Sequence, residues 1–220
     1  MIDRILPPHT QSFFLMGPRG SGKSTWLRSK FPAARVVDLL SEEKYQQLLA
    51  NPALFANEMR ALKAGSWVVV DEIQRLPHLL NEVHRTLEEK RLKFVLCGSS
   101  ARKLRRAGVN LLAGRALHRA MHPFLPEELE SRFDLNQALQ HGLLPVVWDS
   151  DAKADTLAAY AQFYLKEEIQ AEALVRNLPG FARFLPVAAI FHGQTINVST
   201  IARDAGVART TVSGYLDTLE

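Results

Sequence analysis

The sequence predicts an α/β fold, a parallel sheet covered by helices on both faces, followed by an all-helical C-terminal part. Three observations predict it. From residue 12 onward, short apolar runs alternate with amphipathic segments, the order of a sheet wound with crossover helices. The first four apolar runs mostly lack in-and-out alternation, as strands buried on both faces do. The first run opens into the glycine-rich stretch GPRGSGKST at 17–25, which gives the strand–loop–helix order of a P-loop.

Taken in order, the expected strands are SFFLMG (12–17), RVVDL (35–39), WVVVDE (67–72), KFVLCG (93–98) and LHRAMH (117–122). Asn51-Pro52 supplies a cap and a first-turn proline for a helix whose Phe55, Met59 and Leu62 share one face and which Gly65 ends. Pro77 opens a second helix with Leu80, Val83 and Leu87 in one apolar stripe. Both stripes read as core. After HPFLPEEL the chain turns all-helical, with loop signals at Gly142, Pro145, Pro179 and Gly180. The expected division is a P-loop core over 1–125, a helical lid over 126–185 and a winged-helix-like helix-turn-helix over 186–220.

Composition narrows the function classes. A chain of 220 residues has room for one large and one small domain, and should bury roughly 70% of its unfolded surface. No apolar run approaches the ~20 residues of a membrane span, and MIDRILPPHT lacks the apolar stretch of a signal peptide. With Cys97 as the single cysteine, an internal disulfide and a thiolate zinc cluster are excluded. A cytoplasmic protein without membrane partners is expected. Cys97 itself, after an apolar strand, reads as a small buried hydrophobe. Trp26, Trp67 and Trp148 read as packing residues. His118 and His122, four apart and without a partner pair, make no metal site. Net charge is +4, but residues 85–119 hold ten Lys/Arg against two Glu, while 127–172 hold ten acids against three bases. Such a basic stretch serves phosphates or nucleic acid, or forms a solvated face.

Gly17, Gly22, Lys23 and Ser24 match the Walker A spacing. In such a loop, Gly17, Pro18, Arg19, Gly20, Ser21 and Gly22 turn backbone N–H groups around phosphate oxygens, and the next helix directs its positive N-terminal end at the same anion. Lys23 would neutralise the β- and γ-phosphates, the Ser24 hydroxyl would ligate Mg²⁺, and Thr25 would reach the α-phosphate. In VVVDEIQ, 48 residues beyond Lys23, Asp71 reads as the second holder of Mg²⁺ and Glu72 as the group that polarises the attacking water. Both motifs end strands and so converge on one crevice. In VLCGSS, Ser99 or Ser100 could reach the γ-phosphate or the water, a simple turn being the other reading. Arg115, in LLAGRAL, reads as an arginine finger or as a surface arginine. No Asn-Lys-x-Asp guanine signature follows the fourth strand, so adenine is the expected base.

The ordered set GPRGSGKSTWL, VVVDEIQRLPHLLNEVH, VLCGSSARKL and NLLAGRAL resembles a group of prokaryotic AAA-type P-loop ATPases that join an AAA-like ATPase domain to a C-terminal region of unknown function. The resemblance covers about residues 1–145 and is most specific in DEIQ and GSSARKL. It implies an additional-strand catalytic-glutamate fold with sheet order 5-1-4-3-2. It also implies that Gly22, Lys23, Ser24, Asp71 and Glu72 occupy the nucleotide positions, and Ser99 and Arg115 the sensor and finger-like ones. Cys97 departs from the pattern, standing where the resemblance implies threonine and so implying slower turnover. Relatives of this type continue past residue 220 into a restriction-endonuclease-like domain, so a truncated relative is the expectation.

INVSTIARDAGVARTTVSGYLDTLE (196–220) reads as a helix-turn-helix. Ile201 and Ala202 lie on its first helix, Gly206 at the turn, and Val212, Leu216 and Leu219 on the second. Arg209, Thr210, Thr211 and Ser213 fall where a DNA reader places its contacts; a structural or protein-contacting module is the other reading. The sequence thus predicts Mg²⁺-dependent ATP binding and hydrolysis, with ATP and ADP as ligands and a homo-oligomer and weak, salt-dependent DNA binding as further partners. Arg91, Lys93, Arg102, Lys103, Arg105 and Arg106 would dominate that DNA binding. An ATP-gated DNA-binding switch with negligible turnover is the alternative.

Overall fold

A computed structural model of the chain describes residues 2–99, 104, 112–164 and 177–219. It divides into two compact units, Met1–Lys153 and Ala154–Glu220. In the first, the strands are β1 (Phe13–Met16), β2 (Arg35–Asp38), β3 (Trp67–Asp71), β4 (Lys93–Gly98) and β5 (Leu117–Ala120). They form one sheet in the order β2-β3-β4-β1-β5, all pairs parallel. Read from the other edge, this is the order 5-1-4-3-2 that the family resemblance implies.

The burial of both sheet faces explains the missing alternation. Phe14, Val68, Val70, Phe94 and Leu96 belong to one hydrophobic cluster, whereas Phe13, Leu15, Val69, Val95 and Cys97 belong to another. Successive side chains thus enter opposite cores. The first cluster is covered by α2 (Glu42–Ala50), α3 (Ala53–Arg60) and α4 (Leu79–Lys90), and the second by α1 (Lys23–Lys30). Phe55 and Met59 of α3 and Leu80 and Val83 of α4 are buried as their spacing predicts. The α2 helix is an element the sequence reading did not specify; Ser41 Oγ caps it by accepting from Lys44 N–H. Trp26 and Trp67 pack edge-on against Phe13.

Beyond β5 the described residues are helical: α5 (Pro126–Leu129), α6 (Leu135–His141), α7 (Pro145–Trp148) and α8 (Lys153–Ala159). Ile2, Phe124, Leu129 and Trp148 close a small cluster of their own. In the second unit, α9 (Leu178–Ile190), α10 (Val198–Ala205) and α11 (Arg209–Leu219) enclose Phe181, Phe184, Ile201, Ala205, Val212 and Tyr215. Asn177 and Asn197 side chains cap α9 and α10. Gly206, at φ 62°, takes the left-handed conformation that ends α10. Among the described residues no helix is long and apolar enough to cross a membrane.

Candidate nucleotide site

Three neighbouring strands position the site. At the carboxyl ends of β1, β3 and β4 stand the glycine-rich loop, Asp71-Glu72 and Gly98-Ser99, respectively. Parallel strands bring these ends to one edge, which is why motifs far apart in sequence meet. The loop turns through Gly20 (φ 70°) and Gly22 (φ 88°), conformations that glycine adopts without steric cost. Gly17 is required for a different reason: a Cβ there would overlap the carbonyl oxygen of Met121.

Lys23 is buried, and its Nζ donates to the carbonyls of Gly17 at 2.6 Å and Pro18 at 2.9 Å. Ser24 Oγ donates to Asp71 Oδ2 at 3.1 Å, so the two residues read as metal holders are in direct contact. They line a groove of about 550 Å³ together with Leu27, Phe31, Val36 and Asp38. Thr25 and Gly22 face a smaller cleft of about 110 Å³ with Ile2, Arg4, Phe124 and Asp149.

Glu72 is buried and holds φ 58°, ψ 42°, a left-handed conformation that is uncommon for a residue with a side chain. Burial raises its carboxyl above the ordinary value, the Asp71 charge adds to the rise, and Arg19, Lys23 and a Gln74 hydrogen bond oppose it. Gln74 Nε2 donates to Glu72 Oε2 and also to Ser99 Oγ, the latter at 3.0 Å. Burial also pushes the Cys97 thiol well up, with the charge of Asp71 and a hydrogen bond to it in the same direction. The thiol is therefore protonated at neutral pH and lies against the carboxylate.

Arg115 is not brought to this cluster. It precedes β5, whose Leu117 is in register with Phe13 at the start of β1. It therefore lies off the amino ends of the strands, and it pairs there with Glu88 Oε1 at 2.8 Å. Ser100, Arg102, Lys103, Arg105 and Arg106 lie outside the described residues. Of the remaining basic positions, Arg91 ends α4 and Lys93 Nζ stands 5.6 Å from the Trp67 ring centre. His118 stacks on Phe14. Among the described residues no group of three or more potential metal-ligating side chains occurs.

Two residues that sequence reasoning missed belong to the site's surroundings. Gln74 was visible only as part of DEIQ. Arg4 donates to the loop carbonyl of Ser21 at 2.7 Å, to His122 O at 2.6 Å and to Glu128 Oε1 at 3.0 Å. It thereby ties the N-terminal segment to the loop and to α5. Nothing local in IDRIL marks it.

Among solved structures, the chain is similar to the Aeropyrum pernix Orc1 protein in complex with DNA, at 15% identity over 95% of this chain and 77% of that one, with a TM-score of 0.37. It is also similar to the replication initiator DnaA bound to AMPPCP and single-stranded DNA, at 13% identity over 95% and 82%, with a TM-score of 0.39. For Drosophila ORC bound to DNA the values are 16%, 95% and 80%, and 0.35. A search of the curated proteins finds no match. Residues 132–220 match a domain of unknown function (DUF8612). Residues 9–130, more than half of the chain and the whole of the site's strands and loops, match the AAA domain, and the chain belongs to that family.

Proposed function

We propose that this chain binds ATP with Mg²⁺ at the carboxyl edge of the sheet and hydrolyses it to ADP and phosphate. The observation that carries the reading is the contact of Ser24 with Asp71 at 3.1 Å, with Glu72 next in the chain and Lys23 buried behind the loop. A hydroxyl and a carboxylate are the hard oxygen donors Mg²⁺ takes, so the pair fits that ion. Bound there, Mg²⁺ would offset negative charge on the phosphate oxygens. Lys23 would exchange its carbonyl partners for the β- and γ-phosphates, and the loop N–H groups would hold the chain of phosphates. Glu72 would orient a water and accept its proton as the water oxygen bonds to the γ-phosphorus and the bridging oxygen leaves with ADP. Thr25, at the start of the helix that follows the loop, would reach the α-phosphate.

Arg115, at the amino ends of the strands, would act only on the site of a neighbouring copy. Hydrolysis should then rise faster than linearly with protein concentration, and Arg115→Ala mixed with Glu72→Gln should recover activity. A linear rate from a monomer would remove that role. We place the helical lid before α9 and the helix-turn-helix in the unit of α9, α10 and α11, because the expected boundary at 185/186 falls inside α9, whose Phe181 and Phe184 share a core with Ile201 and Val212. The turn of Gly206-Val207-Ala208 between α10 and α11 supports the latter, and the exposed Arg209 and Thr210 open its second helix. DNA binding there should be weak and salt-steep. Sequence-selective anisotropy that Arg209→Ala alone abolishes would instead make α11 a base reader. A sole cysteine that is buried and protonated suits a reducing cytoplasm.

The test of the main reading is calorimetric titration with ATP together with phosphate release. Lys23→Ala should weaken binding, whereas Glu72→Gln should bind ATP and not turn it over. A fully active Glu72→Gln protein would end the hydrolytic assignment. Tight binding by the wild type with negligible phosphate release would favour the nucleotide-gated switch.

A further inference from the structure

Gln74 has geometry that neither packing nor phosphate contact explains. It sits in the short 3-10 turn Ile73–Arg75 directly after Glu72. Both neighbours are pinned. Ile73 is fully buried in the larger core, and Arg75 donates to Leu39 O at 2.6 Å and lies over the Tyr45 ring at 4.5 Å. The Gln74 side chain between them is itself buried at 7% exposure, with both amide hydrogens of Nε2 committed, one to the Glu72 carboxylate and one to Ser99 Oγ.

Its carbonyl is not served in the same way. Oε1 is buried with no hydrogen-bond partner among the described residues, and it presses against Gly98, where a Cβ would overlap it. Turning the amide over would set Oε1 against a carboxylate oxygen, so the orientation is fixed by electrostatics. A residue present only to fill this space would leave no orphaned carbonyl, and leucine or methionine would do that better. The amide is retained for its two N–H groups, and those groups join the residue at the end of β3 to the residue at the end of β4.

We propose that Gln74 is a positioning residue of the hydrolytic site, its amide tying the aim of the Glu72 carboxylate to the place of Ser99. This rests on the hydrolytic reading above. Gly98 is part of the device, because a side chain there would overlap Oε1 of the amide. Ser99 then acts through Gln74, so that a shift of its hydroxyl is passed to Glu72 through one rigid amide.

Steady-state phosphate release and ATP titration on Gln74→Met, Ser99→Ala and the double variant test the proposal. Methionine keeps the volume and removes the donors. The expected result for Gln74→Met is a kcat lowered about tenfold or more, because small displacements of a catalytic group cost that much. KM, ATP affinity and thermal midpoint should stay near wild type. The double variant should be no slower than the slower single variant, since both break one connection. Should Gln74→Met not fold, Gln74→Leu, which also removes both donors, takes its place beside Ser99→Ala and should show the same kcat-specific loss. Wild-type kcat in the folded single variants, or losses that multiply in the double variant, would overturn the tie while leaving the hydrolytic reading intact. Absence of turnover in the wild type would remove both.

Discussion

Replacing Arg4 by methionine tests whether the N-terminal segment is part of the site's framework. Arg4 and Glu128 form an ion pair whose side chains are 9% and 3% exposed. Arg4 also serves three backbone carbonyls, Ser21, His122 and Pro123, and its guanidinium lies 5.0 Å from the Phe124 ring centre. Removing one partner of such a pair costs about 3–5 kcal/mol, because the other charge stays buried. Glu128 keeps two donors, the N–H groups of Ile5 at 2.9 Å and Leu125 at 3.0 Å, so the lower end of that range applies. At roughly 2–4 °C per kcal/mol for a domain of this size, the first unit's midpoint should fall by about 6–12 °C in scanning calorimetry. ATP affinity should fall with it, since the Ser21 carbonyl loses its donor next to Gly22 and Lys23. Asp3→Ala is the control: Asp3 pairs with Lys30 at 2.9 Å but is 84% exposed, and its loss should leave the midpoint unmoved. An Arg4→Met midpoint indistinguishable from the control would mean that Glu128 is solvated and the segment is not anchored.

Two further predictions follow from ionisable groups. Glu58 on α3 is raised by burial, but hydrogen bonds and charge from Lys44 and Arg35 outweigh this and leave its carboxyl below the ordinary 4.5. A folded value below the unfolded one means that stability is present above that ordinary value and is lost as pH falls through the folded one. Glu58→Gln should therefore unfold more easily than wild type in urea at neutral pH, and the two curves should converge as pH falls below the ordinary carboxylate range. A gap that persists in strong acid would exclude the ionic cause. Cys97, the sole cysteine, is buried with its thiol held protonated by burial and by Asp71. Thiol-disulfide reagents should label it only as fast as the first unit opens; rapid labelling of the folded protein would show that β4 is accessible.

The parts of the site that the sequence made legible are those where phosphate chemistry dictates residue type at fixed local spacing. Gly17, Gly22, Lys23 and Ser24 lie within eight residues, and Asp71-Glu72 ends an apolar run. What was not legible depends on contacts between distant residues. Arg4 meets Glu128 across 124 positions, and Gln74 meets Ser99 across 25; each alone reads as an ordinary polar residue. The α2 helix went unspecified because Leu48 is its one fully buried side chain, with Tyr45 half-buried and Leu49 exposed, too thin a stripe for periodicity to mark. Arg115 is different. In a parallel sheet, a residue just before a strand lies at the opposite edge from residues just after one. Its separation from Lys23 therefore follows from assigning LHRAMH as a parallel strand, and the contact with Glu88 of α4 agrees with that placement.

The same distinction bears on why Glu72 tolerates its backbone. A left-handed conformation costs a residue with a side chain about 1–3 kcal/mol, and it persists only where the surroundings impose it. Here they do: Ile73 and Leu76, the first and fourth residues after it, are 0% and 1% exposed, and burying each such side chain contributes roughly 1.5–3 kcal/mol. The two flanks outweigh the strain at the residue between them and β3. Glycine would meet that backbone requirement at no steric cost. The carboxylate at this position is thus set by chemistry against local preference. The backbone turn that Ile73 and Leu76 impose brings Gln74 and Glu72 side by side, where one amide can hold the carboxylate in place.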